Sequence, residues 1–217
     1  IAYGACFGQY QQPRHLLEAA KRYLERFDFI AMRNAFGARI LNELGVVTNS
    51  MVVDPAFLMK KNVSSIAGKN IVTYFVDGKV GPLCLETAKD ISSITNQPVI
   101  QIQSGSQKNE DKGVSTVRAA HPELWHDLLI SASFICSESF HGVVMAIANG
   151  VPFVAISTGH RSERINDLLE SYGLNHYLIS ERHSDIKKLL SERDYSYSQK
   201  LKRDVKSSIA FLQEALS

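Results

Sequence analysis

The chain has 217 residues, of which 45% are hydrophobic and 21% charged, with a formal net charge of +2. That composition belongs to a globular protein with ample core, and excludes a collagen-like or disordered one. Acidic and basic residues are interspersed, so no global field gathers nucleic acid.

No apolar run is long enough to span a bilayer, and no signal peptide is visible. The three cysteines, Cys6, Cys84 and Cys136, share no metal-ligand spacing. They read as buried free thiols, which implies a reducing compartment and a cytoplasmic location.

In chain order, residues 1–5 predict a strand and 13–26 a helix with Pro13 near its first turn. Residues 29–32 predict a strand, 35–44 a helix closed by Gly45, and 51–53 a strand ending at Asp54-Pro55. The polar stretch 60–68 is the best candidate boundary. Beyond it, strands are expected at 71–76, 99–103, 134–136, 153–156 and 176–179. Helices are expected at 83–94, 123–132, 143–148, 163–172, 184–190 and 198–216, with a polar loop at 104–113. Alternating strands and helices predict an α/β fold of Rossmann-like parallel sheets covered on both faces. In such sheets ligands lie beyond the carboxyl ends of strands, where strand order reverses.

One such strand end is "FICSESFHGVVMAIANGVPFVAIS", residues 134–157. A strand-to-helix turn leaves backbone N–H groups without intrahelical partners, and with the helix dipole they suit a phosphate or carboxylate. Ser139 is placed to cap the helix, Gly142 to let a ligand approach the backbone, and His141 to exchange a proton beside it. An equally local reading has Ser139 capping only, Gly142 packing the helix on the sheet and His141 bonding a carbonyl. Spacing does not choose between these.

The run "SESFHGVVMAIANGVPFVAIS", followed by "SERINDLLESYGLNHYLI", resembles the C-terminal signature of the polysaccharide pyruvyl transferase family. "IAYGACFG", "FDFIAMRNAFGARILNELG", "VVDPAFLM" and "HPELWHDLLISASFI" resemble further pieces of that family in the same order, whereas residues 71–113 match only in pattern. The resemblance implies a two-Rossmann-domain, glycosyltransferase-like (GT-B-like) architecture with its N-terminal half incomplete. Residues 1–60 would end the first domain, and 68–217 would form the C-terminal donor-binding domain with its terminal helix.

It also implies transfer of the pyruvyl group of phosphoenolpyruvate to a saccharide as a ketal, in surface or extracellular polysaccharide biosynthesis. The partners implied are phosphoenolpyruvate as donor substrate, with no further cofactor or metal, and a saccharide or lipid-linked saccharide acceptor. A lipid-linked acceptor would bring the protein peripherally to a membrane. By this resemblance His141 is the general acid or a phosphate ligand, and Ser139, Phe140, Arg33 and Arg164 bind substrate. Some members carry arginine where this chain has Ser139, which removes one cation from the donor site. Taken alone, Arg33 reads as a surface ion pair and Arg164 as helix solvation.

Two other classes compete. A nucleotide-sugar glycosyltransferase or epimerase of this architecture often places an acid on the helix after the turn, but residues 143–148 supply none. A non-catalytic relative would bind anions or sugars without turnover. A nicotinamide-binding domain is disfavoured, because no Gly-x-Gly-x-x-Gly follows a strand. Asp54 is expected to shape a turn, Trp125 to sit in the core, and His121 and His126 to lie on a loop and a helix surface.

Overall fold

The structure is a computed structural model that describes residues 1–8, 12–48, 50–59, 68–103, 111–157, 163–182, 186–191 and 196–217. Its contacts divide the chain into two units. One takes Ile1–Lys60, Glu170–Tyr172 and Ser196–Ser217; the other takes Lys61–Leu169 and Gly173–Tyr195.

The first unit is built on a parallel sheet of β1 (Ala2–Ala5), β2 (Ile30–Met32) and β3 (Ser50–Met51), in that order. Helices α1 (Arg14–Leu24) and α2 (Ala35–Glu43) make the crossovers. Successive residues of a strand face opposite ways, so the three buried residues of β2 serve two layers. Ile30 and Met32 pack with Leu41 and Val46. Ala31 faces the other way and packs with Val52 and Phe211, the latter on helix α8 (Tyr197–Leu216). The Phe211 ring meets those of Tyr3 and Phe29 at 6.2 and 6.1 Å, and the Val53 N–H donates to Ser208 Oγ at 2.9 Å. The sequence had assigned the terminal helix to residues 68–217; its contacts instead make it a layer of the first unit. An apolar stripe on a helix states that a partner exists without naming it.

The second unit holds six parallel strands: β4 (Ile71–Phe75), β5 (Val99–Gln103), β6 (Val114–Arg118), β7 (Phe134–Ser137), β8 (Phe153–Ile156) and β9 (Leu178–Ile179). Their order is β6-β5-β4-β7-β8-β9. The chain winds outward from β4 through β5 to β6, then returns to place β7 on the other side of β4. The reversal between β4 and β7 is the topological switch point. Helices α3 (Gly81–Thr95), α4 (Pro122–Ile130), α5 (Phe140–Asn149) and α6 (Glu163–Tyr172) connect the strands, and α7 is Ile186–Ser191. All four residues of β7 and of β8 are buried, as strands covered on both faces must be.

The larger differences from expectation are an added strand and two helix starts. Strand β6 was not anticipated, because Ser115, Thr116 and Arg118 interrupt its apolar character on a sheet edge. Helix α3 begins at Gly81 and not at residue 83, with Gly81-Pro82 in its first turn. Helix α5 begins at Phe140 and not at residue 143, so His141 and Gly142 are helical. Residues 60–67 of the candidate boundary at 60–68, most of the loop at 104–113, His160 and Arg161 in the loop after the strand expected at 153–156, and the start of the helix expected at 184–190 lie outside the described residues.

Candidate functional site

The switch point of the second unit is closed by two side chains at the end of β7. Ser137, fully buried, donates from Oγ to the Tyr74 carbonyl at 2.5 Å and accepts from the Ser139 N–H at 3.1 Å. Glu138, 8% exposed, reaches across to the turn after β4. Its Oε1 accepts from the Val76 N–H and, at 2.6 Å, from the Asp77 N–H. Together they fasten the β4–α3 turn to the β7–α5 turn.

Helix α5 starts from this brace. Ser139 occupies the N-cap position with extended backbone, but its side chain makes no capping bond. The expectation of a capping hydroxyl is therefore corrected, because Ser137 supplies the hydroxyl acceptor in this turn. Bonding within the helix begins with the Val143 N–H on the Ser139 carbonyl at 3.0 Å, so the N–H groups of the first turn point past the helix end.

Around that end stand three of the residues singled out from the sequence. The exposed His141 ring lies edge-on to Phe140 at 5.4 Å. The Arg164 guanidinium lies over the Phe140 ring, 5.5 Å from its centre. An aromatic face attracts such a cation and holds it at a helix N-terminus, where both the cation and the helix dipole favour an anion. Chemically, the arrangement offers first-turn N–H groups, a guanidinium and an accessible imidazole for proton transfer, beside the Glu138 carboxylate.

Gly142 serves packing. A Cβ there would fall inside contact distance of Ser137 Oγ, 3.0 Å from Ser137 Cβ and 3.5 Å from Tyr74 Cδ1. The glycine lets α5 settle onto the two central strands, which favours the packing reading over ligand approach.

Arg33 stands at the carboxyl edge of the first unit's sheet. Its guanidinium pairs through Nη1 with Asp54 and donates through Nη2 to Cys6 Sγ at 2.9 Å. The two side chains are 16% and 5% exposed, so this is a largely buried ion pair and not the surface pair the isolated residue suggested. Asp54 also accepts from the Ala56 N–H at 3.0 Å, capping the short 3-10 turn Pro55–Leu58. Its expected turn-shaping role is joined by a charge role that sequence reading missed.

Cys84 and Cys136 are buried and Cys6 half-buried; all three are free. Burial first, then the Glu138 carboxylate, pushes the Cys84 thiol well above its ordinary value. Burial raises Cys136 likewise, with Cys84 adding to it. Protonated thiols of this kind are poor nucleophiles. Trp125 packs edge-to-face on Tyr74 at 5.5 Å. His121 is exposed and caps α4 by accepting from the Leu124 N–H. His126 was expected on a helix surface but is buried.

Among the described residues no three His, Cys, Asp or Glu side chains cluster as metal ligands. No helix among them is long and apolar enough to cross a membrane. Glu138, in sequence an acid lying before the helix and on the wrong side to serve a nucleotide sugar, makes contacts that sequence reading did not foresee. Its only signal was an acid set directly after an apolar strand, and nothing in the sequence says where its carboxylate goes.

The second unit's strand order and switch-point site define a Rossmann-like α/β protein, and its solved structural neighbours are GT-B glycosyltransferases and epimerases. The UDP-N-acetylglucosamine 2-epimerase of Rickettsia bellii is 12% identical with a TM-score of 0.56, covering 98% of this chain and 66% of its own. The UDP-GlcNAc 2-epimerase of Methanocaldococcus jannaschii is 14% identical with a TM-score of 0.53, covering 76% and 55%. TarM is 16% identical with a TM-score of 0.55, covering 94% and 45%. This chain thus spans between about half and two thirds of these proteins, and the likeness is one of fold. No curated protein matches the chain. The family model for polysaccharide pyruvyl transferase matches residues 1–160, and the chain belongs to that family.

Proposed function

We propose that the protein takes part in pyruvyl transfer, moving the pyruvyl group of phosphoenolpyruvate onto two hydroxyls of a saccharide to form a cyclic ketal. The observation that carries this reading is the position of the family's Ser-Phe-His-Gly segment, Ser139–Gly142, at the switch point of the second unit. The donor is a small dianionic phosphate ester with a carboxylate beside it. Its charges match the first-turn N–H groups of α5 and the Arg164 guanidinium.

The reaction adds two sugar oxygens to the donor's C2 and breaks its bond to the phosphate oxygen. One hydroxyl proton replaces the proton delivered to the methylene carbon, which becomes a methyl group; the other leaves with the phosphate. In this reading His141 delivers the methylene proton and recovers one from the attacking hydroxyl. Phe140 fixes Arg164 by stacking, and Ser139 offers an uncommitted hydroxyl beside the donor. Arg33 is a weaker candidate for the donor than Arg164, because Asp54 and Cys6 already engage it.

Calorimetric titration of phosphoenolpyruvate into the full-length protein, with UDP as rival ligand, tests the reading. Binding of phosphoenolpyruvate that weakens roughly tenfold or more in Arg164→Ala, the size expected for losing a charged hydrogen bond, supports it. In His141→Ala, turnover falls by about a hundredfold or more, the loss typical for a general acid. Binding of UDP with silence toward phosphoenolpyruvate would sink the proposal.

A further inference from the structure

In a sheet wound in this order, the turn after the first strand is where a nucleotide's phosphates ordinarily settle. Backbone N–H groups of the turn, and a helix brought close to the strand, make the cradle. The second unit has that build. Its first turn is Val76 to Val80, "VDGKV", between β4 and α3. A Cβ at Gly81 would come within 2.6 Å of the Phe75 ring, so α3 packs on its strand as closely as such a turn requires.

The cradle is filled from within. The N–H groups of Val76 and Asp77 converge on one oxygen, Oε1 of Glu138, delivered from the neighbouring strand across the switch point. We propose that Glu138 is a specificity-determining residue whose carboxylate occupies the anion cradle of the first βα turn and shuts nucleoside diphosphates out of it.

Three physical points support this. Two backbone N–H groups on one carboxylate oxygen form charge-assisted bonds, stronger than those between neutral groups. A phosphate entering the turn must break both, and Glu138, 8% exposed, is then left as a buried carboxylate without those donors. The incoming anion also meets the carboxylate's negative charge at close range. With those two donors engaged by Glu138, a diphosphate spanning both turns is met less well than a single compact phosphate at the first turn of α5. The inference concerns the β4–α3 turn and stands whether or not phosphoenolpyruvate is the ligand at α5.

Amide NMR of the full-length protein, titrated separately with inorganic phosphate and with UDP, tests it in wild type, Glu138→Ala and Glu138→Gln. In wild type the Val76 and Asp77 resonances stay in place under either ligand. In Glu138→Ala both shift with saturation, and UDP binds roughly tenfold or more tightly than to wild type, the change expected when a competing buried charge is removed. Glu138→Gln keeps an acceptor and the fold while losing the charge, and shows a smaller gain of the same kind. Movement of Val76 and Asp77 in wild type at the UDP concentrations that move them in the variants overturns the proposal. So does the absence of any gain in a folded variant. Failure of phosphoenolpyruvate to bind would sink the proposed reaction and leave this result untouched.

Discussion

Gly142→Ala perturbs the packing of α5 on the central strands without touching any charge. The new methyl group would overlap Ser137 Oγ and press on Ser137 Cβ at 3.0 Å. Ser137 cannot yield freely, because its hydroxyl is bonded to the Tyr74 carbonyl and the Ser139 N–H. Overpacking of this kind costs about 1–3 kcal/mol, and a displaced buried hydrogen bond about 1 kcal/mol more. Alanine's helix preference returns at most about 1 kcal/mol. A net destabilisation of about 1–3 kcal/mol is expected. Trp125, the single tryptophan, lies against Tyr74 in the same unit, so its fluorescence during urea unfolding reports the change. The midpoint should fall with an unchanged slope. In a Ser137→Ala background the same substitution should cost about 1 kcal/mol less, because the overlapping oxygen is gone. An unshifted midpoint, or an equal cost in both backgrounds, would refute the close packing of this turn.

Ser139→Ala should change stability by less than about 0.5 kcal/mol, because this half-buried side chain makes no capping bond. Ser137→Ala should cost about 1–2 kcal/mol by stranding a buried bonding partner; the same urea assay separates the two. Arg33→Met leaves Asp54 buried without its partner and should destabilise the first unit by about 3–5 kcal/mol. The double change Arg33→Met with Asp54→Leu should recover most of that, measured by circular dichroism during urea unfolding. Burial, with the Asp204 carboxylate beside it, raises the Tyr172 hydroxyl well above its ordinary value of 10.0. The folded state therefore keeps this proton where the unfolded chain releases it. Its stabilising effect is intact below about pH 10 and declines above it, by up to about 1.4 kcal/mol per pH unit. Tyr172→Phe should flatten that alkaline decline, read from unfolding midpoints between pH 8 and pH 11; an unchanged slope would contradict the burial argument.

Period and punctuation made the α/β alternation legible from the sequence alone, because buried parallel strands are short apolar runs and their helices repeat at 3.6 residues. The Ser-Phe-His-Gly turn was legible for the same reason, standing where an apolar strand meets a small-residue helix. Strand β6 was not, since its sheet-edge position dilutes the apolar signal with Ser115 and Arg118. Tertiary structure alone decided which side chains bond across the sheet. Arg33 became a largely buried ion pair because Asp54, 21 residues on, lies just past the neighbouring strand. Ser137 displaced Ser139 from its expected local role because parallel pairing sets it beside the Tyr74 carbonyl. Glu138 found its two N–H donors only when the winding order put β7 beside β4. Hydrophobic pattern is a local property of the chain, whereas a buried polar group is satisfied by whatever the topology brings within 3 Å, and that is written in the fold.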